Sequence, residues 1–152
     1  MSKKFIILLF FIFMGCSSTA INNNKKIYSI YFDKKKLQSL NFHNNNLILY
    51  QISNQWYYIR KDGKAMSVIL DENGKPDSFK EGLARTKIDG KIGFFDKNLD
   101  IVLPPFYDYA FPFHHGIAEI CVGCKEINQG KQNMLDGGEW KRIDRTGLLI
   151  EK

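Results

Sequence analysis

The sequence predicts an all-β domain of stacked antiparallel hairpins, arranged like a propeller or a solenoid. From Ile27 onward, short apolar and aromatic runs alternate with turn residues, and no stretch keeps a helical period beyond about two turns. Asp-Gly and Asn-Gly pairs mark tight turns between these runs. A sequence pattern also returns after 34 residues, which is typical of a repeat architecture.

Ten segments have the composition and length of strands, and the residues between them are turn formers. The predicted strands are 27–32, 47–52, 56–60, 66–70, 83–88, 92–95, 101–103, 117–122, 140–143 and 148–150. Asp62-Gly63, Asn73-Gly74 and Asp89-Gly90 each place a glycine where a hairpin needs left-handed backbone. Pro104-Pro105 cannot donate ladder hydrogen bonds and is expected outside a central strand.

Two series of segments define the repeat. Phe79-Lys80-Glu81-Gly82-Leu83-Ala84 returns as Phe113-His114-His115-Gly116-Ile117-Ala118. A second series aligns Trp56-Tyr57-Tyr58-Ile59, Ile92-Gly93-Phe94-Phe95 and Trp140-Lys141-Arg142-Ile143, each followed by a turn. The spacing is 36 residues between the first two and 48 between the last two, so the third unit carries an insertion of about a dozen residues.

These segments resemble the WG repeat family, whose units contain Phe-x-x-Gly-Leu-Ala, then Gly-x-Trp-Gly-Tyr-Ile-Asp, then Pro-x-Tyr-Asp. The best-preserved unit runs from Phe79 to Tyr109, and the resemblance covers about residues 55–150. Ile92 replaces the family's Trp, and Leu99 stands at the turn glycine. The resemblance implies structural roles for Trp56, Phe79, Gly82, Ala84, Ile92, Gly93, Asp96, Phe113, Gly116, Ala118, Trp140 and Asp144.

The N-terminus has the three-part layout of a secretory signal. Lys3 and Lys4 precede an apolar run of 10 residues, whereas a membrane-spanning helix takes about 20. Phe13-Met14-Gly15-Cys16 resembles the bacterial lipobox, which implies cleavage before Cys16 and lipid on its thiol. Because Ser17 is not the Asp that retains many lipoproteins in the inner membrane, the resemblance implies the outer membrane of the bacterial envelope.

The chain thus divides into three predicted regions. Residues 1–15 are the signal, 16–26 form a polar tether, and 27–152 form one domain with capping strands in 27–54 and repeats from about 55. Removing the signal takes away two lysines, so the formal charge falls from +6 to +4. With no clustered basic face or nucleic-acid motif, this charge argues against a nucleic-acid partner.

Cys121 and Cys124 become an even pair once Cys16 is assigned to lipid. We favour a disulfide at the mouth of the insertion, because Gly123 permits a turn between them. A zinc site with His114 and His115, a redox dithiol and a reduced idle pair remain alternatives.

Four alternating aromatic residues follow the proline pair. Such a stripe can stack on the sugar rings of a cell-wall glycan, but aromatics at repeat positions more often build a shared core, and we favour the core. The four residues are Tyr107, Tyr109, Phe111 and Phe113.

The sequence contains no nucleophile elbow, paired-histidine zinc helix, phosphate loop or calcium loop. Asp96 and Asp144 fall at equivalent turn starts, which explains them without acid or base chemistry. We therefore predict a non-catalytic lipoprotein without cofactor or metal, whose repeat domain binds a partner protein or a cell-wall glycan. The alternative is a thiol or zinc function centred on the Cys121–Cys124 pair.

Overall fold

The computed structural model describes residues 29–129 and 132–151, and most of them form antiparallel strands. The predicted all-β class is confirmed. The elements are β1 Ile30–Tyr31, α1 Lys34–Gln38, β2 Leu47–Ile52, β3 Gln55–Arg60, β4 Lys64–Val68, β5 Leu83–Ile88, β6 Lys91–Asp96, β7 Ile101–Tyr107, β8 Tyr109–Ala110, β9 Ile117–Val122, β10 Lys125–Gln129, β11 Gln132–Asp136 and β12 Glu139–Asp144.

The predicted signal, Cys16 and the predicted tether lie outside the described residues. Within the described part of the chain, no helix is long and apolar enough to cross a membrane. The helix α1 was not predicted. It has five residues, and the Asp33 side chain caps it by accepting a hydrogen bond from the Lys36 backbone N–H at 2.9 Å.

Three small sheets form in chain order. The first sheet has the order β1-β4-β3-β2, the second β5-β6-β7, and the third β12-β9-β8. A separate hairpin, β10–β11, emerges between β9 and β12. The strands β1 and β2 lie at opposite edges of the first sheet and do not pair with each other.

Each pair of successive sheets shares one hydrophobic core. Met66 and Val68 of the first sheet pack with Ala84 and Phe95 of the second, forming the first core. Phe94 of the second sheet packs with Phe113 and residues of β9 and β12, forming the second core. Because adjacent strand residues point to opposite faces, Phe94 and Phe95 serve different cores and the second sheet is buried on both faces.

The repeat is visible in matching turns. Glu81-Gly82 has φ angles of 51° and 85°, and His115-Gly116 has 51° and 76°. The flanking residues exchange two backbone hydrogen bonds in each turn: the Lys80 N–H donates to the Leu83 carbonyl at 2.8 Å, and the His114 N–H to the Ile117 carbonyl at 2.9 Å. Both glycines therefore occupy the left-handed position of the same two-residue turn.

Asp96 and Asp144 begin a second kind of matching turn. Oδ1 of Asp96 accepts from the backbone N–H groups two and four residues later, at 2.8 and 3.0 Å. Oδ1 of Asp144 accepts from the corresponding groups at 2.8 and 3.0 Å. The same arrangement occurs at Asp71, which the sequence pattern had not indicated.

Several predicted elements differ from the structure. The strand predicted at 66–70 is β4, two residues earlier, and 148–150 contributes only an isolated bridge between Ile143 and Leu149. The insertion, for which no strand was predicted, forms the hairpin β10–β11. Its few apolar residues gave no alternating pattern, although its backbone pairs as regularly as that of other strands.

The proline pair lies within β7, which is an edge strand of its sheet, as predicted. The register between β6 and β7 shifts around Phe94, where the strand departs from regular pairing. A Cβ at Gly93 would lie 2.7 Å from the Leu103 carbonyl oxygen and 2.8 Å from the Pro105 nitrogen. The WG-like glycine at position 93 thus permits the close approach of β7.

Candidate functional site

The candidate site is the outer face of the third sheet, which we define by Tyr109, Phe111, Glu119, Trp140 and Arg142. In the first two sheets, the third residue of the aligned four-residue repeat segment is aromatic, and its side chain packs against the next sheet. Tyr58 does so in the first core and Phe94 in the second. The equivalent residue of β12 is Arg142, which is half-buried on the face away from the second core.

Three aromatic rings form a cluster on this outer face. The Trp140 and Phe111 rings are 5.9 Å apart with an interplanar angle of 30°, and Tyr109 meets Trp140 edge-on at 6.1 Å. Trp140 remains 46% exposed, while the other two rings are half-buried. Burial raises the pKa of the Tyr109 hydroxyl above its ordinary value, and Tyr109 also lines a separate cavity with Arg85 and Glu126.

The four alternating aromatic residues, which we expected to build a shared core, are divided between two places. Tyr107 and Phe113 pack around Phe94 in the second core, with ring separations of 6.4 and 4.9 Å. Phe111 lies on the outer face with Trp140, and Tyr109 contacts both these rings and the second core. The stripe prediction assumed one continuous strand, but β7 ends at Tyr107 and β8 covers only two residues, so the alternation is broken.

Glu119 and Arg142 lie directly opposite each other in the β9–β12 ladder. Within residues 29–129 and 132–151, neither side chain has a hydrogen-bond or ion-pair partner, although their charges are opposite. Two open cavities of about 390 and 400 Å³ flank this pair, and both residues line both cavities. Trp140 lines the first cavity, and Phe111 lines the second.

His114 and His115 line the second cavity from the turn before β9. Their rings are 4.0 Å apart between centroids and meet edge-on. Among the residues that the structure describes, no group of three or more His, Cys, Asp or Glu side chains is arranged to hold a metal ion. The predicted zinc alternative therefore finds no ligand set in this part of the chain.

A family model described as the WG containing repeat matches residues 92–125. The chain carries a WG-type repeat. The match begins in β6 and ends just after β9, so it crosses from the second sheet to the third. It spans 34 residues, which equals the spacing between the two Phe-x-x-Gly turns. No curated protein and no solved structure matches the chain.

The residues assigned to the WG-type repeat take structural positions. Ala84, Ala118 and Ile92 are buried, Phe79 stacks on Tyr58 at 4.7 Å, and Trp56 packs against the first core. Trp140 is the exception among them, because it stands on the outer face.

The Cys121–Cys124 pair forms a disulfide beside the WG-type repeat's last matched strand. The bond joins β9 to the start of the insertion hairpin, with a Cα–Cα distance of 6.0 Å. Gly123, at φ 85°, supplies the turn between the two cysteines. Cys121 is fully buried and Cys124 is 7% exposed, so the sulfurs are shielded from solvent. The pair thus staples the insertion to the sheet.

A buried ion pair was missed by sequence reasoning. Arg85 and Asp77 are 4% and 2% exposed and form a two-point contact. Arg85 occupies the repeat position that Glu119 occupies in the next unit. Because these two residues have opposite charges, the repeat pattern did not predict an ion pair at this position. The sequence offered no clear signal for it, because β5 also carries the polar residues Thr86 and Lys87.

Proposed function

We propose that this chain is a non-catalytic binding module of the bacterial cell envelope, anchored by lipid on Cys16 to the outer membrane, whose outer face binds a partner protein or a cell-wall glycan. The observation that carries the proposal is the aromatic cluster of Tyr109, Phe111 and Trp140. Aromatic side chains exposed together on a surface are characteristic of binding sites, since they offer large rigid contact areas.

The composition of the outer face distinguishes it from a face made to stack on another repeat. In the two cores, the corresponding positions are filled by the rings of Tyr58 and Phe94. Arg142 and Glu119 bring charges to this place. Unlike the buried Arg85–Asp77 pair, they form no ion pair among the described residues, so covering them with an apolar sheet would be costly. Their presence favours a ligand with polar groups.

The acids of the repeats support a non-catalytic role. Asp96 and Asp144 use their Oδ1 atoms to bind backbone N–H groups within their own turns. For Asp144, the Thr146 hydroxyl also donates to Oδ1 at 2.6 Å, and this bond is the largest cause of its lowered pKa. A carboxylate held in this way is a poor general base.

Binding is tested with envelope fractions and an unlipidated form comprising residues 17–152. We expect this form to be retained by an envelope fraction and the Trp140→Ala variant to lose retention. Phe106→Ala is the matched control, because Phe106 is 67% exposed on β7, away from the outer face. No retention of the parent form, or equal retention of all three, would contradict the proposal.

Anchoring is tested separately by replacing Cys16. We expect Cys16→Ser to move the protein from the membrane fraction to the soluble fraction, because the thiol that accepts lipid is gone. Circular dichroism of the two forms should be the same. A Cys16→Ser protein that stays in the membrane fraction would show that something other than this lipid holds it.

A thiol or zinc function of Cys121 and Cys124 has less support. The cysteines are paired and shielded, whereas reactive thiols are partly exposed and low in pKa. Mass measurement after alkylation, with and without reductant, distinguishes a locked disulfide from a reactive pair. Zinc analysis of the purified protein tests the metal version.

A further inference from the structure

We propose that the ligand of the outer face is a neutral saccharide chain of at least two rings. Its sugar rings stack on Trp140, and its hydroxyl groups are bound by Glu119 and Arg142. This inference rests on the proposed binding function and narrows it to one chemical class. Four features of the outer face lead to it.

The first feature is the aromatic platform. A pyranose ring has one face of C–H groups, which packs on the face of an aromatic ring much as another apolar surface would. Trp140 offers such a face because it is 46% exposed, and the Phe111 ring packs against it with a centroid distance of 5.9 Å and an interplanar angle of 30°. The indole is therefore held in one orientation before any ligand arrives, which reduces the entropy lost on binding.

The second feature is the pair of unpartnered polar groups. A carboxylate only accepts hydrogen bonds and a guanidinium only donates them, whereas a sugar hydroxyl does both. Glu119 and Arg142 stand side by side across the ladder, and neither has a partner among the described residues. Neighbouring hydroxyls of one sugar can donate to the Glu119 carboxylate and accept from the Arg142 guanidinium at the same time.

The third feature is the balance of charge, which favours a neutral ligand. With His counted as neutral, the charged residues that line the two cavities are Glu119, Glu151, Lys141 and Arg142, two of each sign; His114 and His115 also line the second cavity. The Lys141 ammonium is already paired with Glu139 at 2.8 Å. An anionic glycan would meet the Glu119 carboxylate beside the Arg142 guanidinium and gain little from the site.

The fourth feature is the shape of the site. Cavities of about 390 and 400 Å³ lie on the two sides of the Glu119–Arg142 pair. A ligand that fills both must cross the pair, so a single sugar is too short. The charged centre also disfavours an ordinary protein interface, whose buried centre is usually depleted in charged residues.

The experiment is a titration of the 17–152 form, followed by calorimetry and NMR. The probes are two neutral tetrasaccharides, cellotetraose and N-acetylchitotetraose, their monosaccharides, and the anionic tetragalacturonate. We expect at least one neutral tetramer to bind at least tenfold more tightly than its monosaccharide and than tetragalacturonate. Backbone NMR signals of β9 and β12 should shift on binding.

Variants separate the site from general folding. Trp140→Ala and Glu119→Ala should each weaken binding of that tetramer at least tenfold, because one removes the platform and the other removes an acceptor. Glu119 is exposed, so its replacement leaves the core intact. Phe106→Ala should bind as the parent does. Unchanged binding by both outer-face variants would overturn the assignment of the site.

The outcomes also separate this inference from the proposed function. If tetragalacturonate were the only probe that bound, and its binding depended on Trp140, the inference that the ligand is neutral would be overturned. If none of the sugars bound, but an envelope fraction still retained the protein through Trp140, a saccharide ligand would be ruled out. Binding of a protein partner would then be the remaining interpretation. Failure of both experiments would overturn the proposed function itself.

Discussion

The guanidinium of Arg85 contacts both oxygens of the Asp77 carboxylate, with Nε donating to Oδ2 at 3.0 Å and Nη2 to Oδ1 at 2.8 Å. Its Nη1 donates to the Ala110 carbonyl of β8 at 2.8 Å. The Asp77 carbonyl accepts in turn from the Tyr58 hydroxyl of β3 at 3.1 Å. This buried pair therefore ties together residues of all three sheets.

Replacing Arg85 with Met should strongly destabilise the fold. The Ala110 carbonyl would lose the Nη1 donor, and the Asp77 carboxylate would keep only the backbone N–H of residue 85. Breaking such a buried pair typically costs about 3–5 kcal/mol. Urea unfolding measures this difference in the free energy of unfolding. Lys87→Met is the control, because the Lys87–Glu126 pair is largely exposed and should contribute at most about 1 kcal/mol. Equal effects of the two substitutions would show that the buried pair has no special role.

Two neighbouring glycines provide a test of the disulfide's surroundings. A Cβ on Gly138 would lie 2.5 Å from the Cys124 nitrogen and 2.6 Å from the Cys121 Sγ, whereas a Cβ on Gly137 meets nothing within 4 Å. Both glycines have positive φ, 66° and 74°, so both substitutions to Ala carry similar backbone strain. Gly138→Ala alone should displace the disulfide, lower stability beyond Gly137→Ala, and raise the fraction of thiol that reacts under native conditions. Matched stability and thiol reactivity in the two variants would contradict the observed packing.

Reduction of the disulfide should loosen the insertion more than the sheets. The bond closes a loop of only four residues, for which the chain-entropy estimate is about 2 kcal/mol. We expect amide hydrogen exchange to accelerate in β10 and β11 after reduction and alkylation, while β5 and β6 keep their protection. Acceleration spread evenly over all sheets would mean that the bond stabilises the whole fold.

The turns were predictable because a single glycine indicates where the backbone must be left-handed. A glycine at positions 63, 74 and 90 indicated left-handed backbone, and the structure has it at each. The all-β class followed from these turn signals and from the short apolar runs between them. The outer face was harder to predict, because the repeat assigns Trp140 and Ile92 to equivalent positions, yet one is exposed and the other buried. Only the neighbouring sheet decides which happens, and a repeat pattern does not contain that information.

Leu99 shows how packing overrides local preference. It takes the turn position that Gly147 takes in the third unit, with φ 60°, an angle that costs a side-chain-bearing residue about 1–2 kcal/mol. Its side chain is nevertheless buried in the first core, and burial outweighs the backbone cost. The sequence pattern marked Leu99 as a departure from the repeat but gave no sign of this compensation.

Shortening Leu99 tests that balance. Leu99→Ala should cost about 2–5 kcal/mol through the cavity it leaves. Leu99→Gly removes one more carbon but relieves the backbone, so it should be no less stable than Leu99→Ala, the reverse of the usual order for these residues. Thermal or urea unfolding gives both values. A Gly variant clearly less stable than the Ala variant would mean that the positive φ carries little strain.

The turn between β3 and β4 should show a measurable dependence on pH. The Arg60 side chain hydrogen-bonds the Asp62 carboxylate, with Nε 2.9 Å from Oδ1, and lowers the Asp62 pKa from 3.8 to about 2. The Lys64 backbone N–H adds a weaker bond at 3.2 Å. Because the folded-state pKa lies below the unfolded value, the stabilisation is fully present above about pH 4 and is lost as the pH falls through 2. Carbon NMR of the carboxyl group measures the midpoint directly.

Two variants that each remove one positive charge near Asp62 test whether the Arg60 hydrogen bond lowers the Asp62 pKa. In Arg60→Gln, the midpoint of Asp62 should rise toward 3.8, since the largest cause of the shift is gone. In Lys61→Gln it should stay near 2, because Lys61 is exposed and its side chain makes no hydrogen bond with Asp62. Equal rises in the two variants would attribute the shift to general positive charge. A midpoint that remains near 2 in Arg60→Gln would instead assign it to the backbone N–H groups of the turn.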